Sequence, residues 1–197
     1  MDLEQAINDY MDAQGGLLNA ADLQELGFNR RLLYAYTRTG LLERYRCGVY
    51  ARPDSLVDDM VYVQKKYPAL IFSHESALYL NGLSERTPFQ HSVTIPSDAT
   101  LPRSLAAECR CFYMRPALHH LGLTERKTPM GNTVRCYDAE RCICDILRSR
   151  HRLDIETYSA AMKLYFSRRD KNLHRLAEYS ARFGIMEKLT PYLEVLA

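Results

Sequence analysis

Tryptophan is absent from the 197 residues, and so is any apolar run approaching the ~18 residues that a membrane-spanning helix requires. The second absence excludes a helical membrane protein. The amino terminus, MDLEQAINDY, is acidic and amphipathic, unlike a secretion signal, so a cytoplasmic protein is expected. Cys-x-x-Cys spacing is missing too. The six cysteines, Cys47, Cys109, Cys111, Cys136, Cys142 and Cys144, are expected to be free thiols in a reducing compartment. Cys109 with Cys111, Cys142 with Cys144, and the neighbouring His119 and His120 come nearest to a zinc set. Cys142 and Cys144 fall on a predicted helix, where i and i+2 do not share a face. Cys109 and Cys111 read as small core residues. No metal and no cofactor is expected. Hydrophobic residues make up 47% and charged residues 25%, enough apolar material for a packed core in a chain of this length.

Positive charge is missing from one stretch and concentrated in the next. Residues 1–28 contain no Lys or Arg and carry Asp2, Glu4, Asp9, Asp12, Asp22 and Glu25. Residues 29–52 hold Arg30, Arg31, Arg38, Arg44, Arg46 and Arg52 against the single acid Glu43. The net charge of the whole chain is only +2, so affinity for a polyanion has to come from a local patch.

That patch sits on a recognisable pattern. Leu3, Ala6, Ile7, Tyr10 and Met11 predict a first helix over residues 2–13. Asn19 caps a second, with Ala20, Leu23 and Leu26 behind it and Gly27 after it. Asn29 caps a third, whose inward face is Leu32, Leu33 and Tyr36 and which Gly40 ends. Residues 41–45 and 49–50 predict two short strands joined near Cys47 and Gly48. Three helices and a hairpin are the plan of a winged helix-turn-helix, whose last helix enters the DNA major groove. Asn29, Arg30, Arg31 and Tyr34 are the expected groove or base contacts, and Arg38, Arg44, Tyr45 and Arg46 the phosphate contacts.

Pro53 marks a boundary, because it disfavours helix at the residue before it. Beyond it the chain predicts a helix from Asp54 or Ser55 to Tyr67, with Leu56, Met60 and Val63 inward. A helix over 74–81 follows, capped by Ser73 and ended by Gly82. Strands are expected at 91–95 and 109–114, and paired strands at 124–128 and 132–137. Asp138 caps a helix with Ile143, Ile146 and Leu147 inward and a favourable Arg141/Asp145 pair. Further helices are expected over 154–168 and from Asn172 to Gly184. A last one covers 185–196, divided or started by Pro191. The expected fold is α+β: a winged helix-turn-helix over residues 1–52, then a mixed α/β domain over 53–197 with a small sheet and a helical carboxy-terminal part.

Three stretches carry a family resemblance in the right order: residues 27–50, Phe72-Ser73-His74-Glu75-Ser76-Ala77-Leu78-Tyr79-Leu80-Asn81-Gly82-Leu83, and Tyr137-Asp138-Ala139-Glu140-Arg141-Cys142-Ile143-Cys144-Asp145-Ile146-Leu147-Arg148. They resemble AbiEi-type antitoxins, the antitoxin half of type IV abortive-infection systems. The resemblance implies a transcriptional autorepressor that binds operator repeats in double-stranded DNA ahead of its own operon, as a dimer or as cooperative monomers. It also implies a functional partner, a nucleotidyltransferase-like toxin, opposed without a stable complex.

Other readings stay open. Ser73, His74, Glu75 and Ser76 resemble a nucleophile cluster, but Ser and Glu at a helix start are capping chemistry. Glu140 with Asp145, and Asp58 with Asp59, are too ordinary to carry a nuclease, so no enzyme is expected. Between residues 141 and 188, eleven Lys and Arg face six Asp and Glu. Arg148, Arg150, Arg152, Arg168, Arg169 and Lys171 form a second basic patch there, either a phosphate-contacting surface or solvated helix ends. A protein-interaction module that binds a toxin or other partner directly, or a stand-alone transcription factor, are the alternatives to the antitoxin reading.

Overall fold

The computed structural model describes residues 3–46 and 48–196. The chain is mixed α+β, with eleven α-helices and two small sheets among the described residues. It folds as two compact units, 1–68 together with 128–132, and 69–127 together with 133–197.

The first unit begins with α1 (Leu3–Ala13), β1 (Leu17–Asn19), α2 (Ala20–Glu25) and α3 (Arg31–Thr39). The strands β2 (Glu43–Arg46) and β3 (Val49–Ala51) and the helix α4 (Asp59–Lys66) complete it. Ile7 and Met11 from α1, Leu18, Leu23, Leu33 and Leu42 form its core, and Phe28, Leu32, Tyr36 and Tyr50 pack against them. The i, i+4 spacing of Ile7 and Met11 puts both on the face that the other helices cover. Asn19 does cap α2: its Oδ1 accepts from the Ala21 and Asp22 amides, and its own amide donates to Asp22 Oδ2 at 2.6 Å. This reciprocal capping box fixes where α2 starts. Gly40 closes α3 in the left-handed region, at φ 77°. The sheet has the order β1-β3-β2, antiparallel throughout. The joint between β2 and β3 expected at Cys47 and Gly48 lies partly outside the described residues, since Cys47 is not among them.

Two boundaries differ from expectation. The helix expected to start at Asp54 or Ser55 starts at Asp59, with Asp58 as its cap, accepting from the Met60 amide at 3.0 Å. Leu56, expected inward, is 87% exposed. Asp54 stands at φ 59°, outside helical backbone. The expected division after Arg52 falls inside the first unit, which runs to Pro68. The reason is a set of polar ties that hold α4 there. Lys65 pairs with Asp22 at 2.7 Å, with both side chains about nine-tenths buried. Arg52 itself bonds back to α1, pairing with Asp12 at 2.7 Å.

The second unit contains β4 (Ile71–Phe72), α5 (His74–Leu80), β5 (His91–Pro96), α6 (Arg103–Ala106), β6 (Cys109–Met114) and α7 (Pro116–His119). There follow β7 (Leu123–Lys127), β8 (Thr133–Tyr137), α8 (Ala139–Arg148), a 3-10 turn at Arg150–Arg152, α9 (Ile155–Ser167), α10 (Leu173–Phe183) and α11 (Met186–Leu196). The sheet order is β6-β5-β4-β8-β7. Pairs β5/β6 and β4/β8 are parallel; β4/β5 and β7/β8 are antiparallel. β5 alternates in sequence, yet both its faces are covered, so Ser92 and Thr94 are buried and hydrogen-bonded. The helix α8 is buried all round from Glu140 to Leu147 rather than along one stripe. α5, α9 and α10 all pack on it. Pro191 neither starts nor divides α11, which runs through it.

Candidate nucleic-acid interface

The turn before α3 sets its outward face. The Asn29 carboxamide oxygen accepts from the Arg31 amide at 2.9 Å, which starts the helix. The backbone of Arg30 is already helical. Inward anchoring comes from buried Leu33 and from Leu32 and Tyr36, packed on the core. By the helical period, this anchoring turns Arg30, Tyr34 and Arg38 outward in one row, with Arg31 beside them. All four are exposed, Tyr34 to 74%. Among the described residues no carboxylate pairs with Arg30, Arg31 or Arg38. The result is a helix face with three guanidinium groups, one phenol ring and no acid. Such groups fork onto phosphate or guanine and stack on bases or thymine methyls. Asn29, expected to cap α3, stands one residue before the N-cap position, which Arg30 takes without a side-chain capping bond, and its side chain is exposed.

The hairpin is divided in its use. Arg44 is exposed on β2, opposite Tyr50 of β3. The register shifts between Arg44 and Arg46, a bulge that brings the consecutive Tyr45 and Arg46 to the same carboxylate. Tyr45 Oη donates to Asp59 Oδ1 at 2.9 Å, and Arg46 Nη2 lies 3.4 Å from the same oxygen. The Arg46 guanidinium also lies over the rings of Tyr45 and Tyr62, at 5.0 and 4.9 Å. Asp59 and Tyr62 of α4 are the residues that sequence reasoning missed here. The only signal was the Asp58-Asp59 pair following a basic hairpin.

The second basic patch is partly engaged within its own unit. Arg148 pairs with buried Asp145 at 3.3 Å and lies over the Phe183 ring. Arg150 lies over Tyr158 at 4.2 Å and Arg152 over Phe112 at 4.1 Å. Arg168 pairs with Asp170 at 2.6 Å and donates to the Asn81 carbonyl at 2.8 Å. Lys171 donates to the Arg168 carbonyl, and Arg169 is exposed. Arg148 and Arg168 thus hold a helix end and a loop, while Arg152 and Arg169 are exposed.

Ser73 occupies the N-cap position of α5 but makes no capping bond. Its hydroxyl instead accepts from Thr94 Oγ1 at 2.8 Å and meets His74 Nδ1 at 3.0 Å. His74 Nε2 meets Ser149 Oγ at 3.1 Å, and the ring stacks on Phe112 at 3.4 Å. Burial pulls the His74 imidazole down to about 4, so the ring is neutral near pH 7. Both ring nitrogens are occupied by hydroxyl groups, and the cluster reads as a satisfied core network. Burial likewise pushes the Cys109, Cys136 and Cys144 thiols up to about 12. Among the described residues no three His, Cys, Asp or Glu side chains converge to hold a metal ion, and no helix is long and apolar enough to cross a membrane.

No protein-family model and no curated protein matches the chain. Among solved structures, the crystal structure of the RV2827C protein from Mycobacterium tuberculosis is similar, with a TM-score of 0.65 at 13% sequence identity. The match covers 97% of this chain and 75% of the other. At that identity the likeness is one of fold.

Proposed function

We propose that the chain is a DNA-binding antitoxin and transcriptional autorepressor of the AbiEi type, acting in the cytoplasm on double-stranded operator DNA. The observation that carries the reading is the acid-free row of Arg30, Tyr34 and Arg38, with Arg31 beside it, exposed on α3. Support also comes from its setting: α2 and α3 joined by a tight turn at Gly27, the β2-β3 hairpin directly after α3, and β1, from before α2, paired with β3. On this reading the first unit is a winged helix-turn-helix. α3 enters the major groove, with Arg30, Arg31 and Tyr34 at base edges and Arg38 and Arg44 on phosphate. One such module covers a short site, so paired half-sites are bound by a dimer or by cooperative monomers. The three sequence stretches of AbiEi character extend the reading to the opposed toxin, a nucleotidyltransferase-like protein that forms no stable complex with the chain.

The test is a fluorescence-anisotropy titration of the full chain against the DNA upstream of its own gene, with scrambled DNA as control, at two salt concentrations. Preferential binding that weakens with salt is expected, because phosphate neutralisation releases counterions. Equal affinity for both DNAs would overturn the autorepressor, and a stoichiometric protein partner would then be sought for the second unit.

A further inference from the structure

Asp59 presents one carboxylate oxygen to two donors of the hairpin. Its Oδ1 accepts from Tyr45 Oη at 2.9 Å and lies 3.4 Å from Arg46 Nη2. A phenol hydroxyl and a guanidinium converging on one anionic oxygen is the donor set that proteins offer to a phosphodiester. The rings of Tyr45 and Tyr62, 5.7 Å apart and edge to face, hold the guanidinium in place. The bulge after Arg44 is what lets neighbouring residues of one strand reach one oxygen. The pair is open to exchange: the Arg46 and Asp59 side chains are 37% and 53% exposed. An ion pair of that exposure is weakly held.

We infer that Tyr45 and Arg46 form a backbone-phosphate subsite whose ligand position the Asp59 carboxylate fills, so that DNA binding exchanges a carboxylate for a phosphodiester. The inference rests on the DNA-binding reading and deepens it by assigning an internal competitor. Asp59 then lowers affinity for any DNA sequence alike, since phosphate contacts carry no base information. It limits retention on non-specific DNA and leaves discrimination to α3.

Asp59→Asn removes the charge and keeps an oxygen for the Tyr45 hydroxyl. The α4 cap is Asp58, so the helix keeps its capping bond and loses only the small dipole contribution of a first-turn carboxylate. In the anisotropy titration of the full chain, Asp59→Asn is expected to tighten operator and scrambled DNA by the same factor, roughly threefold or more at about 50 mM salt, and to steepen the log–log salt slope by ~0.9 for one added phosphate contact. Arg46→Ala is expected to cost the Asp59→Asn protein more affinity than it costs the parent, and to return the slope to the parent value. Unchanged affinity and slope in Asp59→Asn, with the parent still binding its operator, would overturn the exchange while the regulator reading stands. Weaker binding by Asp59→Asn would overturn it too, since Asp59 would then be holding the hairpin in its binding position. A parent chain with no DNA affinity would remove both.

Discussion

Arg141, with no exposed side-chain surface, donates from Nε to Asp145 Oδ2 at 3.1 Å, one turn further along the same helix. Its Nη1 donates to the Leu118 and Leu121 carbonyls, and its guanidinium lies between the rings of Tyr137 and Phe183 at 4.0 and 4.4 Å. Nη2 has no hydrogen-bond acceptor. The cation is therefore held by one carboxylate, two carbonyls and two ring faces. Asp145 has a second cation, Arg148, at 3.3 Å. That asymmetry sets the order of mutant costs. Asp145→Asn leaves a buried guanidinium without its counter-charge and is expected to cost about 3–5 kcal/mol. Arg141→Met leaves Asp145 paired with Arg148 and fills much of the volume, so a smaller loss is expected. Urea denaturation of both variants checks this, and an equal or reversed order would contradict it.

Gly122 lies against the same arginine. It stands at φ 76°, and a Cβ there would fall 2.6 Å from Arg141 Cβ. Its carbonyl accepts from the Asp138 amide at 2.8 Å at the start of α8. Neither the backbone nor the neighbouring helix can shift without disturbing that cap. Gly122→Ala combines left-handed strain with overpacking, and a loss of about 3 kcal/mol is expected. Thermal melting of the variant is the measurement. A midpoint within a degree of the parent would show that α8 can move to make room.

Local signals were legible in the sequence, and long-range burial was not. Asn19, Asp138 and Gly40 could be read because a cap or a stop depends on residues within one turn. The Arg141 and Asp145 pairing was also legible from spacing, but its burial was not. Nothing within α8 announces that α5, α9 and α10 cover it on every side. Ser73 failed as a cap for the same reason: its hydroxyl is claimed by Thr94, 21 residues away. At the candidate interface, the charge and face of α3 were plain from the sequence. The use of Tyr45 and Arg46 depends on Asp59, which reaches them only once α4 packs beside the hairpin. Arg52 looked like part of the basic run and instead fastens α1 to the strand end, through Asp12 and Asn8.

The buried His74 gives the fold a pH dependence. Burial lowers its pKa from an unfolded value near 6.5 to about 4. Between those values the unfolded chain binds a proton that the folded chain does not, so stability falls as pH drops through this window. Above pH 6.5 the contribution is flat, and below about 4 the loss is complete, on the order of 3 kcal/mol. Urea midpoints at pH 7 and pH 5 should differ accordingly. In His74→Gln, which keeps polar atoms near Ser73 and Ser149, that difference should shrink. A variant with the parent's full pH dependence would assign the effect to another group.

The α3 face makes the sharpest functional prediction. Arg30 and Arg31 are exposed and make no contact with the core, so Arg30→Ala with Arg31→Ala should leave the melting curve unchanged. If each guanidinium touches DNA, each contact is worth roughly 1–3 kcal/mol, and the double variant should bind the operator at least ~30-fold more weakly. The two substitutions also separate base reading from phosphate contact. Loss confined to the operator means that the pair reads bases, whereas equal loss on scrambled DNA with a shallower salt slope means that it neutralises phosphate. Tyr34→Ala complements them. It removes no charge, so its salt slope should match the parent's while operator affinity drops. A double arginine variant that binds the operator as the parent does would remove α3 as the recognition helix.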